Sequence, residues 1–159
     1  MKARRLLLFA ALCSCVIPAS SAFAQKLYPV QGPLAAQSPQ PVLPGHIRRP
    51  IFGPGPFMLL KSWTLANGEI VQGKAKKLKA TSANMPAPQK GEISLPQPNL
   101  AFAWDAVYGE GYFVANILGN EFGQAVFTNN KGTVLQVESF DGRNGVAVDN
   151  RGNIYKLVW

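Results

Sequence analysis

One histidine, His46, stands alone in 159 residues. A His-pair metal site and a two-histidine mechanism are therefore excluded within one chain. Two cysteines, Cys13 and Cys15, are too few for a disulfide-rich scaffold or a four-cysteine zinc site. Beyond residue 98 the chain has no proline and a single serine, Ser139. No G-x-S-x-G elbow occurs, and no Walker loop or G-x-G-x-x-G opens a helix. No segment reaches the ~20 apolar residues of a membrane-spanning helix. An RNP-type pattern of RNA-binding aromatics is absent, and genomic nucleic acid is not an expected partner of a chain that carries the export signal described next. From these gaps we expect no catalytic set, no metal and no cofactor.

What is present begins with an address. Lys2, Arg4 and Arg5 precede an apolar run from Leu6 to about Ile17, and Ala22-Phe23-Ala24 has the small-x-small form of a signal-peptidase site. Residues 1–24 are thus expected to be a cleaved signal peptide, giving a periplasmic or secreted chain that starts at Gln25. Leu12-Cys13-Ser14-Cys15 offers a competing cut, a lipobox with lipidation at Cys15. Against it, Val16-Ile17-Pro18 extends the apolar run past Cys15.

The remainder has two characters. Residues 25–98 hold 12 prolines, with 9 basic residues against 2 acidic; residues 99–159 hold 4 basic against 6 acidic. Pro29, Pro33, Pro39, Pro41, Pro44, Pro50, Pro54 and Pro56 read residues 25–56 as an extended proline-rich arm, a linker or a recognition element. His46, Arg48 and Arg49 lie on it.

A β domain is expected over 57–159. Phe57–Leu65 is strand-like, Asn67-Gly68 suits a tight hairpin, and Ile70-Val71 starts the return. Residues 81–99, with four prolines, read as a loop within the domain. From Ala101 onward short apolar runs alternate with turn chemistry, including Ala101–Tyr108 and Tyr112–Leu118, all read as strands. Residues 126–135 align without gaps on 146–155, and Asn67–Val71 carries the same turn-to-strand core. The second copy resembles one hairpin of an NHL-type propeller blade, but the chain is too short for four blades. The expected fold is all-β: a small antiparallel barrel or sandwich built from consecutive hairpins. Trp63 should share its core with residues 99–159.

Trp159, with Leu157 and Tyr155 at period two, resembles the closing strand of bacterial outer-membrane barrels. The pattern fails at Asn153 and Arg151, and the runs fall short of the ~9–11 residues such strands need.

Lys74, Lys76, Lys77 and Lys79 form the strongest charged feature. As a strand, Lys74 and Lys76 share one face with Ala80, and Lys77 and Lys79 share the other. The plain role is an edge strand protected from aggregation. The functional one is a footprint for an anionic glycan, a lipid or an envelope protein, with Arg48 and Arg49 as further candidates. Asp105, Glu110 and Glu121 are the carboxylates from which a small hydrolase could draw. Asp141–Asn144 and Asp149–Asn153 lack calcium-loop spacing and read as Asx turns. The expectation is an exported, non-enzymatic binding or structural module of a bacterial envelope. The alternatives are a carbohydrate- or lipopolysaccharide-binding protein and a carboxylate-dependent hydrolase.

Overall fold

The computed structural model describes residues 25–47, 58–84 and 93–159. Eight strands follow one another: β1 (Gln25–Gln31), β2 (Leu43–Ile47), β3 (Met58–Thr64), β4 (Ile70–Lys79), β5 (Glu121–Thr128), β6 (Val134–Phe140), β7 (Asn144–Asp149) and β8 (Ile154–Val158). Each pairs antiparallel with its sequence neighbours, and β1 pairs with β8 to close a barrel. The fold is all-β, and of the two expected architectures it is the barrel.

Period-two alternation puts two apolar layers on the two faces of the wall. Inside lie Leu27, Leu43, Trp63, Val71, Phe127, Leu135, Tyr155 and Leu157, in one buried cluster. Trp63 therefore packs with residues from β5 to β8, and its ring meets Phe127 edge-on at 6.3 Å. Lys26, Lys74, Lys76 and Lys156 are exposed outside. An apolar interior is the inverse of the polar lumen of a membrane-spanning barrel. No described helix is long and apolar enough to cross a membrane.

Three expectations are corrected. The proline-rich arm is not an arm over Gln25–Gln31 and Leu43–Ile47; these are β1 and β2, integral to the wall. Leu27 and Leu43 supply the buried side chains, and the missing donor of Pro29 coincides with a register shift between Pro29 and Gln31. The strands read at Ala101–Tyr108 and Tyr112–Leu118 are helices, α1 (Ala101–Tyr108) and α2 (Tyr112–Asn116). α1 starts on the helix-favouring Ala-Phe-Ala, and Gly109 and Gly111, both at positive φ, separate the two helices. Finally, β4 is not an edge, because it pairs with both β3 and β5. The signal peptide, Arg48, Arg49 and residues 48–57 lie outside the described residues.

The helices cover one outer side of the wall. Trp104, Phe113 and Ile117 bury against Phe122, Val146, Val148 and Ile154. Beneath them sits an acid that alternation alone would place in solvent. Glu138 is fully buried, and its carboxylate accepts from Leu100 N (3.0 Å), Trp104 Nε1 (2.9 Å) and Gln124 Nε2 (3.1 Å). Gln136 also faces this layer, accepting from Gln97 N (2.7 Å) and donating to Gln97 O (2.9 Å). These side chains pin the crossing segment 97–100 to the barrel. Burial pushes the Glu138 carboxyl up to about 7, although the hydrogen bonds pull the other way.

Gly45 leaves space that the largest interior ring needs. A Cβ there would stand 2.4 Å from the Trp63 ring. Gly45→Val is expected to destabilise the barrel by about 1–3 kcal/mol through overpacking. A lower urea midpoint with an unchanged m-value would register it.

Candidate functional site

The two barrel ends differ chemically. At one end four loops are stitched together. Glu69, at the β3–β4 turn, accepts from Thr133 Oγ1 (2.9 Å), Asn129 Nδ2 (3.3 Å) and Arg151 Nη2 (3.2 Å), with Lys131 Nζ at 3.4 Å. The Thr133 and Asn67 hydrogen bonds lead in holding its carboxyl down to about 2. Asn153 Oδ1 accepts from Leu34 N (2.8 Å), tying the β1–β2 loop to the same place. Asn129 Oδ1 accepts from the amides two and four residues on, and Asp149 Oδ1 repeats the pattern. The internal sequence echo is therefore a repeated Asx turn at one end of the barrel. Asp149 also accepts from Tyr155 Oη at 2.6 Å; burial and that carboxylate push the phenol up.

The opposite end carries the long β4–β5 connection, the short β6–β7 turn and Trp159. A narrow cavity of about 20 Å³ runs inward from it, lined by Trp63, Ala75, Phe127, Val137, Leu157 and Trp159. That is room for about one water. Gly123 and Ser139 line this cavity and also a wider outer pocket of about 320 Å³, completed by Lys77, Glu121, Phe122, Asp141 and Gly142. Gly123 and Ser139 form the throat, since a Cβ on Gly123 would stand 2.9 Å from Ser139 Oγ.

The four lysines separate here by strand parity. Lys74 and Lys76 are exposed on the outer face, on the side of the half-buried Leu78, whereas Lys77 lines the mouth pocket. Lys79 pairs in register with Glu121, and Lys77 Nζ lies 3.9 Å from Glu121 Oε2 with both side chains well exposed. Such an ion pair contributes little stability. Asp105 caps α2, its Oδ1 accepting from Phe113 N at 3.1 Å, and Glu110 is exposed in the α1–α2 turn. The acids at the mouth are Glu121 and Asp141. Asp141 has φ +52, and its Oδ1 accepts from Arg143 N and Asn144 N.

Trp63, expected in the core, and Gln25, which the sequence reading missed, carry Nε1 and Oε1 buried with no hydrogen-bond partner. No local signal marks Gln25; only closure of β1 against β8 turns it inward. Among the described residues no group of three or more His, Cys, Asp or Glu is placed to hold a metal ion.

No family model, curated protein or solved structure matches this chain.

Proposed function

We propose that the protein is an exported, non-enzymatic binding module of a bacterial envelope, with its site at the end of the barrel opposite Glu69. The observation that carries the reading is the contrast between ends. Among the described residues, one is tied together by Glu69 and its donors, while the other carries a pocket of about 320 Å³ beside the inner cavity. A pocket of that size is at the lower limit for small ligands. The basic leader and the Ala22-Phe23-Ala24 motif support export. The rival use of the basic segment, capture of an anionic surface, has less support. Lys74 and Lys76 stand on β4, whereas Lys26 and Lys156 stand at the β1–β8 seam, so they form no single patch.

The test is tryptophan fluorescence of the purified protein against envelope polysaccharide, lipopolysaccharide and anionic vesicles. A saturable change with one of them is expected, and Lys77→Trp, which fills the mouth, should weaken it at least about tenfold. If Lys77→Trp has no effect while Lys74→Glu with Lys76→Glu abolishes binding, the site is the outer face instead. Release of reducing ends over time would make the protein a hydrolase.

A further inference from the structure

We infer that Asn67 is a site of spontaneous modification, where the side-chain amide is lost to water and the carboxylate left behind loosens the Glu69 tie. Asn67 stands at the end of the barrel away from the mouth, so the modification is independent of any ligand bound there.

The chain holds two Asn-Gly steps, Asn67-Gly68 and Asn144-Gly145. In such a step the glycine nitrogen can attack the asparagine Cγ, because no Cβ obstructs its approach. The N–Cγ bond forms, the Cγ–Nδ2 bond breaks, and ammonia leaves with the proton of the glycine nitrogen. Water then opens the cyclic imide to an aspartyl or an isoaspartyl residue. The balance is amide plus water giving carboxylate plus ammonium, with no oxidant or reductant.

The fold treats the two steps oppositely. Asn67 and Gly68 are exposed at the tip of the β3–β4 hairpin, and a Cβ on Gly68 would meet nothing within 4 Å. Gly68 N donates to Leu65 O at 2.9 Å inside that exposed turn, a bond that water replaces whenever the tip frays. Asn67 Oδ1 accepts from Glu69 N at 3.1 Å. That donor is aimed at the oxygen on which negative charge develops when Cγ is attacked, so the turn polarises its own electrophile. Gly145 is buried within β7, and its N donates to Tyr108 Oη at 3.1 Å. A Cβ on Gly145 would stand 2.5 Å from Leu157 Cδ2 and 2.8 Å from Glu138 O. The Gly145 nitrogen therefore has no room to swing onto Asn144 while β7 is in place.

The product alters the tie between loops. The Asn67 hydrogen bond helps to hold the Glu69 carboxyl down, and a carboxylate cannot donate it. The new charge also stands two residues from Glu69, as a like charge. An isoaspartyl link adds a carbon to the main chain of a turn closed by Leu65 N donating to Glu69 O at 2.8 Å. Each change weakens the hold of Glu69 on Thr133 Oγ1 and Arg151 Nη2 in the neighbouring loops.

The experiment is incubation of the purified protein at pH 8, native and in urea, with tryptic mapping of segments 62–74 and 144–151 over time. In urea both Asn-Gly steps should deamidate at similar rates. In the native protein 62–74 should gain the carboxylate, with 144–151 at least about tenfold slower, because Gly145 is freed only when β7 opens. Asn67→Gln, which requires a larger ring, should leave 62–74 unmodified over the same period. Equal native rates, or a faster Asn144, overturn the site. A carboxylate gained by 62–74 in Asn67→Gln places the reaction at Gln72 and overturns it as well. The modified form, separated by ion exchange, should exchange the amide hydrogens of Leu65 and Thr133 at least about tenfold faster than the unmodified form, with Ile117 in α2 unchanged. Unaltered exchange at Leu65 and Thr133 overturns the loosening.

Discussion

Removing residues 25–42 should abolish the cooperative unfolding transition. β1 is hydrogen-bonded on both sides, to β2 and to β8, and places Leu27 in the core. Its loss opens the barrel and exposes two strand edges. The forfeited pairing and burial rival the whole stability of a domain this size, about 5–15 kcal/mol. Thermal circular dichroism of the truncated chain should show no sigmoidal transition. A midpoint within a few degrees of the intact protein would mean that β1 is a dispensable arm after all.

Glu138→Ala should cost about 3 kcal/mol at pH 5, and less at pH 8. The substitution takes an acceptor from Leu100 N, Trp104 Nε1 and Gln124 Nε2, at about 1 kcal/mol for each lost hydrogen bond, although Gln124 Nε2 still donates to Pro98 O. The pH dependence follows from the raised carboxyl. The folded protein holds the Glu138 proton up to about 7, against an ordinary value of 4.5. Its stabilising contribution is complete below the ordinary value and is lost as pH rises through 7. The gap between native and variant urea midpoints should therefore narrow from pH 5 to pH 8. A gap that widens over that range would show that Glu138 is more stable ionised than neutral in its buried site.

Much of the barrel was legible where turn chemistry is strong. Asn67-Gly68 and the two Asx turns at Asn129 and Asp149 delimit β3 to β8, and the structure places those turns there, with Gly68, Gly132 and Gly152 at positive φ. β1 was hidden by its neighbours. Prolines at 29, 33, 39, 41 and 44 outweighed the inward parity of Gln25, Leu27 and Pro29, which only the partner strand β8 gives meaning. α1 was hidden because Ala-Phe-Ala-Trp is apolar throughout and carries no period over so short a length. Gln136 and Glu138 read as solvent-facing because the cover over them, residues 97–104, comes from a distant part of the chain. At the candidate site, Lys77 and Glu121 could be named from sequence, while their meeting with Asp141, Ser139 and Trp159 is a product of closure.

The closing seam sets the kinetic character of the molecule. Seven of the eight strand pairings join consecutive strands, whereas Leu27 meets Leu157 from 130 residues away. Bringing those ends together costs about 2 kcal/mol more chain entropy than closing a ten-residue hairpin. The hairpins can form early and locally, and the β1–β8 zipper is the step that waits for all of them. It is also the zipper with a proline and a register shift in its ladder. The line along which the barrel completes itself in folding therefore ends beside the mouth, where Lys26 meets Val158.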